Sequence, residues 1–203
     1  ELEKFEKALA KTISDIEGVK ERAAVNLSPE ELAVFDAHLM MASDPEYADQ
    51  IKGMIKEGST AEKATKSVSD MMVSMFESMD NDYFKERAAD VKDVSFRLLC
   101  NVLGLIVPDL TAIDEEVIVV ANDLTPSDTA QLNKKYTLGF VTEIGGRTSH
   151  SAIMARSLEI PAVVGTSGIL EKTEPGQLII MDALDGKVIL NPTEDEVKEY
   201  EAK

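Results

Sequence analysis

The sequence predicts two folds in series: an all-α helical bundle over residues 1–106 and an α/β domain over residues 107–203. Three observations carry this. In the first half, apolar residues recur three and four apart, as on the buried face of a helix, and glycine and proline are nearly absent from those stretches. After Val107-Pro108-Asp109-Leu110 the pattern changes to short β-branched runs bounded by turn residues. Helical stretches lie between those runs, which is the alternation of an α/β domain.

The first helix is expected over 1–25, with Phe5, Leu9, Ile13 and Ile16 along one face. Asn26-Leu27-Ser28-Pro29 ends it. Ser28 then caps a second helix, Pro29 takes its first position and Glu31 completes a capping box; this helix is expected to run to Met41. Asp44-Pro45 starts a third helix by the same chemistry, and Gly58-Ser59 closes it. One long helical region is expected over 61–103, bent or broken at Asp80-Asn81-Asp82 and capped by Gly104. Helices of this kind pack as an antiparallel bundle.

In the second half, strands are expected at 117–121, 136–144, 162–164, 178–182 and 187–190, and helices at 126–134 and 149–158. Asp185-Gly186 reads as a hairpin turn between the last two strands. Thr193 and Glu196 form a capping box for a final helix.

Charge narrows the range of partners. The chain has 38 acidic and 21 basic residues, a formal net charge of −17. Such a surface repels nucleic acid and anionic membrane and favours a basic protein partner. No apolar run is long enough to span a bilayer, and no signal peptide is visible. Cys100 is the one cysteine, so no intrachain disulfide forms, and a reducing, cytoplasmic setting is expected. With His38 and His150 as the two histidines, the chain lacks the ligands for a zinc set. Glu1 stands inside a helical pattern and is not a methionine, so the chain reads as a fragment without its native start.

The chemistry concentrates in Gly145-Gly146-Arg147-Thr148-Ser149-His150-Ser151. Paired glycines let the backbone turn sharply after a strand. Thr148 or Ser149 is placed to cap the following helix. A helix start offers unpaired N–H groups and partial positive charge, which suit an anion, and the same field keeps an imidazole neutral. A histidine at such a place joins a nucleophile to an anion site, the arrangement for carrying a phosphoryl group. Arg147 is the expected charge partner; Arg156, six residues after His150, falls off that helical face. Thr125-Pro126-Ser127-Asp128 starts another helix, and the hydroxyl of Thr129 within it is placed to hold one imidazole nitrogen. A serine hydrolase reading fails because neighbouring residues point apart and no Gly-x-Ser-x-Gly elbow is present.

Residues 145–165, with the segments 123–131 and 85–91, resemble enzyme I of the phosphoenolpyruvate-dependent sugar phosphotransferase system. The resemblance implies a phosphohistidine swivel domain with His150 phosphorylated on Nε2 and Thr129 hydrogen-bonded to its Nδ1. It implies that the helical half docks the histidine-containing phosphocarrier protein through Asp36, His38, Met40, Met41, Glu46, Tyr47, Phe84 and Arg87. It assigns phosphoenolpyruvate and magnesium to a C-terminal domain beyond residue 203, leaving no cofactor in this fragment, and it expects a strand before Glu1. The swivelling domains of pyruvate phosphate dikinase and phosphoenolpyruvate synthase are more distant, since they carry cysteine where Ser149 stands and lack the helical half.

Overall fold

The computed structural model describes residues 1–203 apart from the side chain of His150. The chain forms two compact units, Glu1–Thr111 and Ala112–Lys203. The first unit consists of α1 (Leu2–Ala23), α2 (Pro29–Ala42), α3 (Pro45–Lys56), α4 (Ala61–Glu77) and α5 (Asp82–Leu103). The expected capping box of Ser28 and Glu31 starts α2, and Asp44 caps α3 through the Glu46 N–H.

The long helical region breaks at its polar segment. The Asn81 side chain accepts from the Tyr83 N–H at 2.8 Å and so begins a new helix instead of bending the old one. Across this corner the rings of Phe76 and Phe84 stack 6.0 Å apart. Gly104 ends α5 with φ +71, a left-handed conformation that suits glycine. The division between the units also falls later than the 106/107 boundary read from the sequence. Arg22 of α1 pairs with Asp109 at 3.1 Å and donates to the Thr111 hydroxyl at 3.1 Å, which ties the apparent linker to the bundle.

The bundle core joins Phe5, Ile51, Ala64, Val68 and Leu98 from four helices. Tyr47 is buried among them, and its hydroxyl lies 2.7 Å from the Ser69 hydroxyl. Ser69 spends its own proton on the Thr65 carbonyl at 2.6 Å, so Tyr47 is the donor of the pair.

The second unit contains β1 (Val117–Ala121), α6 (Pro126–Gln131), β2 (Thr137–Thr142), α7 (His150–Ser157), β3 (Ala162–Val163), α8 (Ile169–Lys172), β4 (Ile179–Asp182), β5 (Lys187–Leu190) and α9 (Glu194–Glu201). The strands β1, β2 and β3 form a parallel sheet in that order, with Val120 opposite Val141 and Val141 opposite Val163. Phe140 and Val141 of the central strand are fully buried, as expected of a parallel strand covered on both faces. The last two strands pair as an antiparallel hairpin through Gly186. The helix after Pro126 stops three residues before its expected end. Asn133 takes over there, accepting the Lys135 N–H on its side chain and the Thr137 N–H on its carbonyl, which favours a turn over a helix. The short α8 and a 3-10 turn at Leu110–Ala112 were not legible as elements.

The topology places the chemistry. Both α6 and α7 begin at the C-terminal ends of adjacent parallel strands, β1 and β2, and the two helices pack together. Crevices at that end of a parallel sheet are where open α/β sheets hold their ligands.

Two measurements check these assignments. Tyr47→Phe should cost about 1 kcal/mol in urea denaturation, because Ser69 keeps its own donated bond and loses only an accepted one. The buried Asp182 carboxylate is held below the usual carboxylate range, first by the hydrogen bond from Lys203 and then by the Asp185 N–H. A lowered folded-state pKa gives stability that is complete above the ordinary aspartate range and is lost as pH falls through the lowered value. Asp182→Asn should therefore lower the melting temperature near neutral pH, with the gap narrowing in acid; a gap constant with pH would contradict the assignment.

Candidate functional site

The site is built from the loop after β2. Gly145 adopts φ +112, and a Cβ there would sit 3.2 Å from the Ser149 hydroxyl. Both the conformation and the space call for glycine. The Ser149 N–H bonds the Gly146 carbonyl at 2.9 Å, closing a tight turn. Of the two candidate caps, Ser149 fills the role: its hydroxyl accepts from the Ala152 N–H at 3.3 Å and lies 3.2 Å from the Ser151 hydroxyl. His150 is thereby the first residue of α7. Its side chain lies outside the described residues.

Thr129 sits in α6, fully buried. Its hydroxyl proton points back to the Pro126 carbonyl at 3.0 Å and the Thr125 carbonyl at 3.1 Å. A hydroxyl keeps acceptor capacity while its proton is so used. The capping box of Thr125 and Asp128 fixes the helix that carries it.

The two arginines exchange emphasis. Arg147 is exposed on the loop, and its backbone carbonyl accepts a hydrogen bond from Nη2 of Arg156 at 3.1 Å. Arg156 was set aside on helical-face geometry, yet its long side chain folds back along α7 to the loop that precedes the helix. Face counting places a Cβ; it does not limit the reach of a four-atom stem. Among the described residues, no group of three or more His, Cys, Asp or Glu side chains is placed to hold a metal ion. No helix among them is long and apolar enough to cross a membrane.

The eight residues expected at the docking surface lie at three depths. Asp36, Met40 and Glu46 are exposed, with Asp36 paired to Lys20 of α1. Met41, Phe84 and Arg87 are half-buried, and the Arg87 guanidinium stands 5.2 Å over the Tyr83 ring. His38 and Tyr47, each 1% exposed, lie beneath the surface. That corrects the expectation that they present themselves directly. His38 shares the inward face of α2 with Phe35 and Ala42, and its Nε2 lies 3.0 Å from Asp90 of α5. Tyr47 shares the inward face of α3 with Ala48, Ile51 and Ile55.

The structure also shows apolar surface that the sequence reading passed over. Met71, Met75 and Met79 stand exposed four residues apart along and just beyond α4, with exposed Tyr83 following. Residues 64, 68, 71 and 75 lie three and four apart, so Met71 and Met75 continue the helical face of Ala64 and Val68, and periodicity carried no signal that they stand exposed. Exposed methionines in a row are adaptable docking surface.

The chain is similar to known proteins. The family described as "PEP-utilising enzyme, N-terminal" matches residues 1–87, and "PEP-utilising enzyme, mobile domain" matches residues 113–186. The phosphoenolpyruvate-protein phosphotransferase of Listeria innocua is 52% identical over 99% of this chain and 35% of its own length. That of Priestia megaterium is 52% identical over 100% of this chain and 36% of its own length. The chain thus spans about a third of the length of these relatives. A solution NMR structure of Enzyme I (nEIt) superposes with a TM-score of 0.88 at 48% identity, covering 100% of this chain and 82% of that one. A structure of the N-terminal domain of "Enzyme 1 - Nitrogen" superposes with a TM-score of 0.61 at 28% identity, again covering 100% and 82%.

One substitution probes the loop. Gly145→Ala should destabilise the second unit by roughly 1–3 kcal/mol, because alanine must take φ +112 against the Ser149 hydroxyl. Thermal denaturation read from amide exchange of β2 and α7 would register it.

Proposed function

The chain belongs to the phosphoenolpyruvate-utilising enzyme family, in its Enzyme I branch, and from that premise we propose that it is a phosphotransferase segment that carries a phosphoryl group on His150. The observation that carries this reading is the start of α7, where a glycine turn and the Ser149 cap set His150 at a helix N-terminus. Charge there favours the attached phosphoryl dianion over a protonated ring.

The partner is the histidine-containing phosphocarrier protein. In the transfer, the P–N bond to one histidine breaks as the P–Nε2 bond to the other forms; the leaving ring keeps the electron pair and is neutral with a proton on its other nitrogen, and the attacking ring gives up the proton on its own Nδ1. The two phosphohistidines are chemically alike, so the protein's work is alignment and charge stabilisation. Thr129 holds Nδ1 and thereby fixes which nitrogen faces the incoming phosphorus. Arg147, with Arg156 braced against its carbonyl, supplies positive charge to the phosphoryl oxygens. The acidic surface of the bundle, with exposed Met40, Asp36 and Glu46 above the buried His38 and Tyr47, suits a partner that is basic and apolar in parts. The half-buried Met41, Phe84 and Arg87 extend that surface, and the methionine row on α4 adds to it. Phosphoenolpyruvate and magnesium are assigned in this reading to the C-terminal domain expected of the longer protein. Cytoplasmic residence agrees with the single cysteine.

Phosphate exchange tests the reading. Incubated with the phosphorylated carrier, the chain should acquire acid-labile, base-stable phosphate, and His150→Gln should acquire none while still binding the carrier. Thr129→Val should slow transfer about 10²-fold through loss of ring alignment. Met40→Asp should weaken carrier binding roughly tenfold without changing the transfer rate at saturation. Labelling of His150→Gln equal to that of the parent would reject the proposal.

A further inference from the structure

Thr142, the last residue of β2, is fully buried, so its side chain reaches neither solvent nor a docked partner. Its hydroxyl donates to the Ile144 carbonyl at 2.8 Å, just ahead of the Gly145 turn. The Ile144 N–H is held as well, by the Asn122 carbonyl at 3.1 Å, and the Glu143 N–H by the Ala121 carbonyl at 3.1 Å. Both backbone polar groups of Ile144 are thus bonded, and the chain enters Gly145 from a fixed direction.

Thr142 also holds a second loop. Its carbonyl accepts from the Thr166 N–H at 2.9 Å. Two further contacts join the same loops. The Glu143 carboxylate accepts from the Leu170 N–H at 3.1 Å, and a Cβ on Gly165 would stand 3.0 Å from the Gly145 carbonyl oxygen. The 164–170 segment after β3 is therefore a backstop for the turn that leads to α7. Thr142 bonds to both, to the turn through its hydroxyl and to the backstop through its carbonyl.

The strand itself does not call for this hydroxyl. Phe140 and Val141 beside it are apolar and buried, and valine would fill the space of threonine and suit a covered parallel strand equally well. A buried hydroxyl is tolerated where it is bonded. What it adds over valine is the bond to Ile144, and what that bond adds is the direction of the turn.

We propose that Thr142, on the reading of His150 as the phosphoryl carrier, is a positioning residue for the transfer: its hydroxyl locks the turn so that α7 starts in one orientation. Displacing a reacting group by about 1 Å can cost about 10²-fold in rate, so a modest loosening of the turn is measurable.

The test compares the parent with Thr142→Val and Thr142→Ser, each incubated with the phosphorylated carrier over a range of carrier concentrations, with His150→Gln as the blank. Thr142→Val should transfer about tenfold more slowly than the parent at saturating carrier, with the half-saturating concentration unchanged. Thr142→Ser, which keeps the hydroxyl, should transfer at the parent rate. Amide exchange gives a second readout. In Thr142→Val the amides of Ser149 and Ala152, bonded to the Gly146 carbonyl and the Ser149 hydroxyl, should exchange faster, while protection in β1 and β3 stays that of the parent. Equal rates for Thr142→Val and the parent, a change confined to the half-saturating concentration, or a Thr142→Ser as slow as Thr142→Val would overturn the proposal. Loss of protection throughout β1, β2 and β3 in Thr142→Val would make Thr142 a structural residue of the sheet and overturn it as well. If neither the parent nor any variant takes up phosphate, the phosphoryl reading of His150 fails instead. Thr142 as the lock of the turn then stands on faster exchange of Ser149 and Ala152 in Thr142→Val and falls on exchange equal to the parent.

Discussion

The backbone between β2 and α7 must leave a parallel strand, reverse, and start a helix within a few residues, and the polar groups freed by that turn govern the rest of the second unit. Gly145 supplies a conformation that other residues enter only with strain. Ser149 satisfies one of the N–H groups orphaned at the helix start. A helix start of this kind favours negative charge. Because α6 starts from the neighbouring strand, the same sheet end also presents Thr129, whose hydroxyl is fixed by its own helix. Sheet register, helix start and side-chain chemistry therefore act as one arrangement, and shifting β2 by a residue would dismantle all three.

The helical unit solves a different problem, which is to keep an acidic surface while holding a bundle together. It does so with buried polar pairs at helix crossings. Tyr47 donates to Ser69 between α3 and α4, and His38 meets Asp90 between α2 and α5. Each pair fixes the relative position of two helices, so the exposed residues above them are set in register. His38 and Tyr47 thus hold the helices whose outer faces carry Met40, Asp36 and Glu46.

Much of this was legible in the sequence because caps are local chemistry. The capping boxes at Ser28, Thr125 and Thr193 and the glycine that ends α5 need no tertiary information, and each stands where the residues placed it. What was missed depended on contacts distant in sequence. The first unit extends to Thr111 because Arg22, far upstream, holds Asp109. The inward turn of His38 could not be read from periodicity, since α2 ends in Leu39-Met40-Met41-Ala42, apolar on every side. Arg156 was read off the helical face of His150, and helical spacing, which describes where side chains start, could not show that its guanidinium ends at the Arg147 carbonyl.

The central claim is that the imidazole at the start of α7 is the group that carries phosphorus. The most direct measurement is heteronuclear NMR on the chain labelled with nitrogen-15 at histidine, after exposure to the phosphorylated carrier, reading the coupling between phosphorus and the ring nitrogens. The account predicts coupling to Nε2 of His150 and none to His38, which is buried against Asp90. Coupling to His38, or a phosphorylated protein with no phosphorus on the His150 ring, would contradict it.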